Sequence, residues 1–361
     1  MPIDILNPVS STYIFAVLLF VGLLFSLKKK ESTELLPPTL SQELKGFAML
    51  AIILAHIGYF LVNDHRFLFP LSIFAGVGVD LFLFLSGFGL ALSALRKKLS
   101  PRDFYRRHLP KLYIPFWIVL TVLFVADFLL LNTTRSWSYI VQSFFGFFPH
   151  ANLFTDINSP LWYFTFILFF YLIFPILFFK QRPLLSAVLM YVGVQSVMFL
   201  HLPILKNVEH LYLLHTVAFP LGVAVAGLYQ RYSKNREYIE SQIKKVSMWI
   251  LVPSMLCITG IFSYFAYFSG VGTPSQQYIS LLVTLLLLIL FILKPFRISF
   301  FYLLGIYSYE LYLIHWPLMS RYDILYSHLP AWLATTLYIP LLLGLAWLLH
   351  KAVEVMLKKK N

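Results

Sequence analysis

Apolar runs of about 16 to 23 residues recur along the whole of this chain, and no other feature constrains its fold as strongly. Wound as a helix rising about 1.5 Å per residue, such a run spans the ~30 Å hydrocarbon layer of a bilayer and satisfies its own backbone hydrogen bonds. Eleven spans are expected, at 12–27, 47–62, 73–95, 112–131, 161–179, 184–200, 211–229, 246–268, 278–293, 299–319 and 331–350. The fold class read from them is an all-α polytopic membrane protein of about eleven transmembrane helices. Only 12% of the residues are charged, against about 25% in soluble domains, which excludes one large water-soluble core.

The net charge of +13 is a matter of topology before it is a matter of partners. If alternate loops face the cytoplasm, those loops hold 24 of the Lys and Arg residues and the opposite loops hold four: Arg66, Arg135, Lys206 and Arg321. By the positive-inside rule the N-terminus lies outside and the C-terminus in the cytoplasm. This distribution points away from nucleic acid. A single cysteine, Cys257, excludes a disulfide framework and a cysteine-based metal site. The first apolar run is preceded by MPIDIL, with an acid and no base, and its lysines follow it. That order is the reverse of a cleavable signal, so the run is expected to be a retained helix. The organisation expected is an N-terminal helix and linker at 1–41, a membrane domain at 42–350 and a basic tail at 351–361.

An ionisable residue inside a span costs about 2.5–3.5 kcal/mol on insertion scales, so each one is a functional candidate. His56 lies in the second span, Asp80 in the third, and Glu310 and His315 in the tenth. Spans two and three are joined by a short loop, which brings His56 and Asp80 to comparable depth as a possible pair. Each has a plainer reading: a histidine that only bonds across helices, or an Asp80 that accepts from Ser86 or a backbone group. In LKGFAMLAIILAH, Lys45 and His56 are eleven residues apart. At about 100° per residue their side chains leave a helix only about 20° apart, separated by about 16.5 Å along its axis.

Between residues 96 and 111, Arg96, Lys97, Lys98, Arg102, Arg106, Arg107 and Lys111 crowd together with interleaved aromatics. This cluster, read as a basic loop, suits the phosphates of lipid headgroups or of a nucleotide-bearing cofactor, and equally a solvated topology anchor. No GxGxxG or GxxxxGK[ST] phosphate loop and no HExxH or other metal-ligand spacing is present.

Five stretches in order, LKGFAMLAIILAHIGYF, GVGVDLFLFLSGFGLAL, FYRRHLPKLYIPFW, LWYFTFILFFYLIFPIL and LGIYSYELYLIHWPL, resemble motifs of the membrane acyltransferase-3 family. The resemblance runs from about residue 42 to 350. It implies transfer of an acyl group from acyl-CoA, acetyl-CoA foremost, to a hydroxyl of a cell-surface polysaccharide, glycolipid or lipid-linked sugar. It implies a ten-span core, with span 12–27 an N-terminal addition, in the cell membrane. The first-motif histidine falls on His56 and the C-terminal one on His315. The family's Arg falls on Lys45, which keeps the charge but lacks the planar bidentate fork. A Glu pair common in the Leu-Trp helix is replaced here by Ile167 and Leu168.

Together these readings set out a site. His56 is the expected general base for the hydroxyl, with Asp80 as its orienting partner and His315 a third catalytic candidate. Lys45, Arg106, Arg107 and Lys111 would hold the donor's phosphates. Trp162, Tyr163, Tyr309 and Glu310 are the candidates for contacting the acceptor. No metal is expected. The rival from another class is a transporter or exporter of glycolipid or polysaccharide that uses the intramembrane His, Asp and Glu as a proton relay. Against it, the sequence shows no inverted repeat of Gly- or Pro-broken helices.

Overall fold

A computed structural model describes residues 2–30, 34, 36–97, 100–235, 238, 241, 247–269 and 274–358. Of the basic residues used for topology, Lys98, Arg236, Lys244, Lys245, Lys359 and Lys360 lie outside the described residues, as does part of the 31–43 linker.

In chain order the structure runs α1 (Pro8–Phe25), β1 (Leu27–Lys29), α2 (Pro38–Ala55), a π turn (His56–Leu61), α3 (Ala75–Arg96), α4 (Pro101–Leu131) and α5 (Trp137–Phe144). It continues with α6 (Trp162–Leu177), α7 (Pro183–Phe199), α8 (Glu209–Leu213), α9 (Ala218–Arg231), α10 (Met248–Tyr267) and α11 (Pro274–Leu293). It ends with β2 (Phe296–Ile298), α12 (Ser299–Ile306), α13 (Ser308–Ser320) and α14 (Ala331–Lys358). Prolines open α2, α4 and α7, where the missing N–H has no helical partner to lose. Among the described residues, nine helices are long and apolar enough to cross a membrane, and α7 is a shorter apolar one. The expected 299–319 span is interrupted at Tyr307, which separates α12 from α13. Burial is 72% along the α2 span but 17% along α1 and 6% along α10, so these two present apolar flanks that only lipid would solvate.

The central helices approach closely because small residues meet at their crossings. Gly46 of α2 faces the backbone of Phe301, Gly305 of α12 faces that of Gln42, and neither leaves room for a Cβ. Gly87 of α3 and Gly222 of α9 oppose the backbones of Phe219 and Phe84 in the same way. In lipid, where tails are as apolar as leucine, such backbone proximity is what holds helices together. At the end of the bundle where α2 begins, antiparallel β1 and β2 pair Leu27 with Ile298. Beside them the Lys294 ammonium reaches the buried Glu43 carboxylate at 2.5 Å, and Ile298 N–H donates to the same oxygen at 2.6 Å.

The segment expected as a basic loop at 96–117 is instead helical from Pro101, so Arg102, Arg106, Arg107 and Lys111 lie on the first three turns of α4. The physical reason is Ser100–Pro101, an extended residue followed by a proline at the first helical position, which starts the helix before the apolar run does.

Candidate functional site

From Lys45 to Ala55 the backbone is uninterrupted α-helix, so the angular arithmetic linking Lys45 to His56 applies to the folded chain. At His56 the helix loosens into the six-residue π turn. Such turns leave extra backbone slack and frequently mark functional positions. Gly58, inside that turn, abuts Ser72, where an added Cβ would come within 2.6 Å of the serine Cβ.

His56 meets His315, not Asp80. The two imidazoles lie 5.0 Å apart, edge to face, and Trp316 of α13 is 5.2 Å from His56. Each ring is held by its own helix. His56 Nδ1 sits 2.8 Å from the Ile52 carbonyl, and His315 Nδ1 lies 3.1 and 2.9 Å from the carbonyls of Leu311 and Tyr312. A carbonyl only accepts, so each Nδ1 carries the proton and each Nε2 presents a lone pair. His315 Nε2 is buried with no hydrogen-bond partner, while His56 remains partly accessible. Two imidazoles, each fixed through Nδ1, thus meet between α13 and the π turn. His315 is completely buried, because α13 turns this face inward against the π turn.

The segment 152–157, a strap, packs on Trp316 beside the pair. Trp316 Nε1–H donates to the Leu153 carbonyl at 2.8 Å, and Phe154 packs at 6.0 Å from the same indole. The strap is tied down by Asp127 near the end of α4, fully buried. Its carboxylate accepts from Arg321 at 2.6 and 3.1 Å, from the Tyr322 hydroxyl at 2.6 Å and from Arg135 at 3.3 Å. Arg135 also donates to the Thr155 carbonyl at 2.6 Å. Two of the four basic residues on the side opposite the positive loops are therefore structural clamps. The sequence reading passed over Asp127, although an acid inside the VADFLLL run was the signal for it.

The expected Asp80–His56 pair is not formed. Asp80 Oδ1 lies 2.7 Å from His215 Nδ1, and Ser280 Oγ donates to Oδ2 at 2.7 Å; Ser86 is not the donor. Antiparallel neighbours can share a depth and still turn polar groups to different sides; here Asp80 faces α9 and α11 while His56 faces α13. His215 was passed over although it lies inside the expected 211–229 span, an imidazole in an apolar run being the signal for it; the structure places it in the turn before α9. Trp162 stacks on His215 at 6.0 Å and 18°, so that indole face is already occupied. Tyr163 packs edge-on to Tyr312 at 5.4 Å, one helical turn from His315. The Tyr312 hydroxyl donates to Pro160 O at 2.9 Å and accepts from Phe164 N–H, locking the start of α6 to α13.

The remaining candidates lie toward the other end. Tyr309 hydroxyl donates to the Leu112 carbonyl at 2.6 Å. Glu310 is bound by His350 of α14 at 2.7 Å, a helix-packing pair that turns its carboxylate away from the two histidines. Lys45 lies two residues past Glu43, partly buried, with no ion pair among the described residues. Arg106, Arg107 and Lys111 are exposed on α4 and likewise have no acidic partner among the described residues. No cluster of three or more metal-ligating side chains occurs among the described residues.

These features define a multi-pass membrane protein whose helices enclose a pair of histidines. The model of the acyltransferase-3 family, described as an acyltransferase domain, matches residues 44–351, and the chain belongs to that family. Comparison with curated proteins and with solved structures returned no match. The matched region begins after α1, so α1 and β1 lie outside it.

Proposed function

We propose that this membrane acyltransferase uses acyl-CoA, most simply acetyl-CoA, to acylate a hydroxyl of a cell-surface polysaccharide, glycolipid or lipid-linked sugar. The reading places it in the cell membrane with eleven spans, the N-terminus outside and the basic loops in the cytoplasm. The observation that carries it is the His56–His315 pair, with both Nδ1 protons held by carbonyls and the buried His315 Nε2 without a hydrogen-bond partner. His56, the more accessible ring, takes the proton from the attacking hydroxyl. The new C–O bond forms as the thioester C–S bond breaks, and the thiolate leaves with CoA. His315 lies within reach to share the proton. The donor's phosphates rest on Arg106, Arg107, Lys111 and Lys45 at the end of the bundle away from His56, which leaves its arm about 16.5 Å of helix to follow.

The test uses membranes carrying normally expressed His56→Ala and radiolabelled acyl-CoA. Transfer to envelope material should vanish, whereas wild-type transfer in this variant removes the base assignment. Acyl-CoA should raise the Tm of the purified protein; a transporter with no donor site would show no such shift.

A further inference from the structure

α1 lies outside the family-matched region and is scarcely buried, yet it is stitched to the segment that leaves the His56 turn. Ile3 N–H donates to Leu61 O at 2.7 Å, and Asn63 N–H donates to Ile3 O at 3.0 Å. Asn63 Nδ2 donates to Asp4 at 2.6 Å, and the buried Thr12 hydroxyl accepts from Leu68 N–H at 2.8 Å. Lipid packing alone would not need these bonds. Between α1 and residues 64–70 they leave a cavity of about 650 Å³, within the usual size of ligand clefts.

The walls of this cavity are of two kinds. Tyr13 is 69% exposed and Phe69 is 42% exposed, which offers two ring faces. His65 and the Asp64–Arg66 pair supply polar groups, the Thr12 hydroxyl being already bonded to Pro8 O and Leu68 N–H. Arg66 grips Asp64 through Nε at 3.0 Å and Nη2 at 2.6 Å, and its hydrogen bonding holds the Asp64 carboxyl down to about 2. The pair is therefore ionised near neutral pH, and its charges cancel. A phosphate would find no net positive charge here, whereas a polyhydroxyl ligand finds acceptors, donors and apolar ring faces together. His65 stacks on Tyr59 at 5.7 Å, and Tyr59 follows His56 by three residues in the π turn.

We propose that this groove is a binding subsite for a neutral carbohydrate, the acceptor of the transfer reaction, and that α1 is the addition that builds it. The inference rests on the acyl-transfer reading for the ligand's role, but not for its binding.

The experiment uses the full-length protein purified in detergent, with maltose, cellobiose and N,N′-diacetylchitobiose as probes in thermal unfolding. At least one probe should raise Tm by about 2 °C or more in wild type and equally in His56→Ala. The shift should disappear in Tyr13→Ala/Phe69→Ala, whose unliganded Tm should stay near wild type because both side chains are exposed. Absence of any shift, or a shift that survives the double substitution, overturns the proposal. So does stabilisation by phosphatidylglycerol alone that the double variant loses, since that marks a lipid site. Failure of the acyl-transfer reading would show separately, as a missing acyl-CoA shift with the sugar shift intact.

Discussion

Removal of the Asp127 carboxylate is the sharpest test of how the strap over Trp316 is held. Asp127→Ala strips four hydrogen bonds from Arg321, Tyr322 and Arg135, and leaves two guanidinium groups without their shared counter-charge. Breaking a buried ion pair by deleting one partner costs about 3–5 kcal/mol, because the other charge stays desolvated. At about 2 °C per kcal/mol, the low end of the range for chains of moderate size, Tm in detergent should fall by about 6–10 °C. The loss should not be purely global. Arg321 reaches the Phe154 and Asp156 carbonyls at 3.4 Å, and Arg135 holds Thr155, so the strap above Trp316 should loosen first. His315, 0% exposed in the native protein, should then react faster with diethylpyrocarbonate below the Tm. Adding Arg321→Met should recover part of the stability, since one stranded charge is removed. A coupling of about 0.5–3 kcal/mol is expected for groups in one network. A Tm change under about 2 °C, unchanged His315 labelling, and additive single and double variants would together refute the reasoning.

Other consequences are open to measurement. Asp80→Ala should leave His215 and Ser280 without their buried partner, at about 1–3 kcal/mol for each stranded group, while the His56 labelling rate stays at its wild-type value. A faster His56 rate would restore the pairing that the structure rejects. Gly46→Leu should prevent the close crossing of α2 and α12 and abolish the folded monomer on gel filtration, since the added side chain meets the Phe301 backbone. Replacing Arg106, Arg107 and Lys111 by Gln should weaken acyl-CoA binding roughly tenfold or more at low salt, with the gap narrowing at high salt; a salt-independent effect would argue against phosphate contact. Asp64 in the folded chain lies below its ordinary 3.8, so its pairing stabilises above about pH 4 and is lost as the pH falls toward 2. Wild type and Asp64→Asn should accordingly converge in Tm at pH 2.

Much of the architecture was legible because lipid imposes a simple rule. Backbone groups must bond within their own helix, so span length and apolarity are written directly into the chain. The expected helix at 47–62 appears within α2 and its π turn, and the Lys45–His56 stripe follows from the 3.6-residue repeat alone. The identity of the two motif histidines was likewise available, since imidazoles in apolar runs stand out against hydrocarbon.

Pairing was a different matter. Which face a helix turns to which neighbour depends on where small residues let backbones touch, and those contacts lie far apart in sequence. Gly46 against Phe301 and Gly87 against Phe219 set the rotations of α2 and α3. Those rotations send His56 to His315 and Asp80 to His215 and Ser280. The chain alone determined a membrane helix bundle carrying a lysine and a histidine on one stripe. Only the tertiary structure decided that the histidine's partner is another histidine beside a strap tied by Asp127, because side-chain reach between helices is fixed by packing rotation and not by local periodicity.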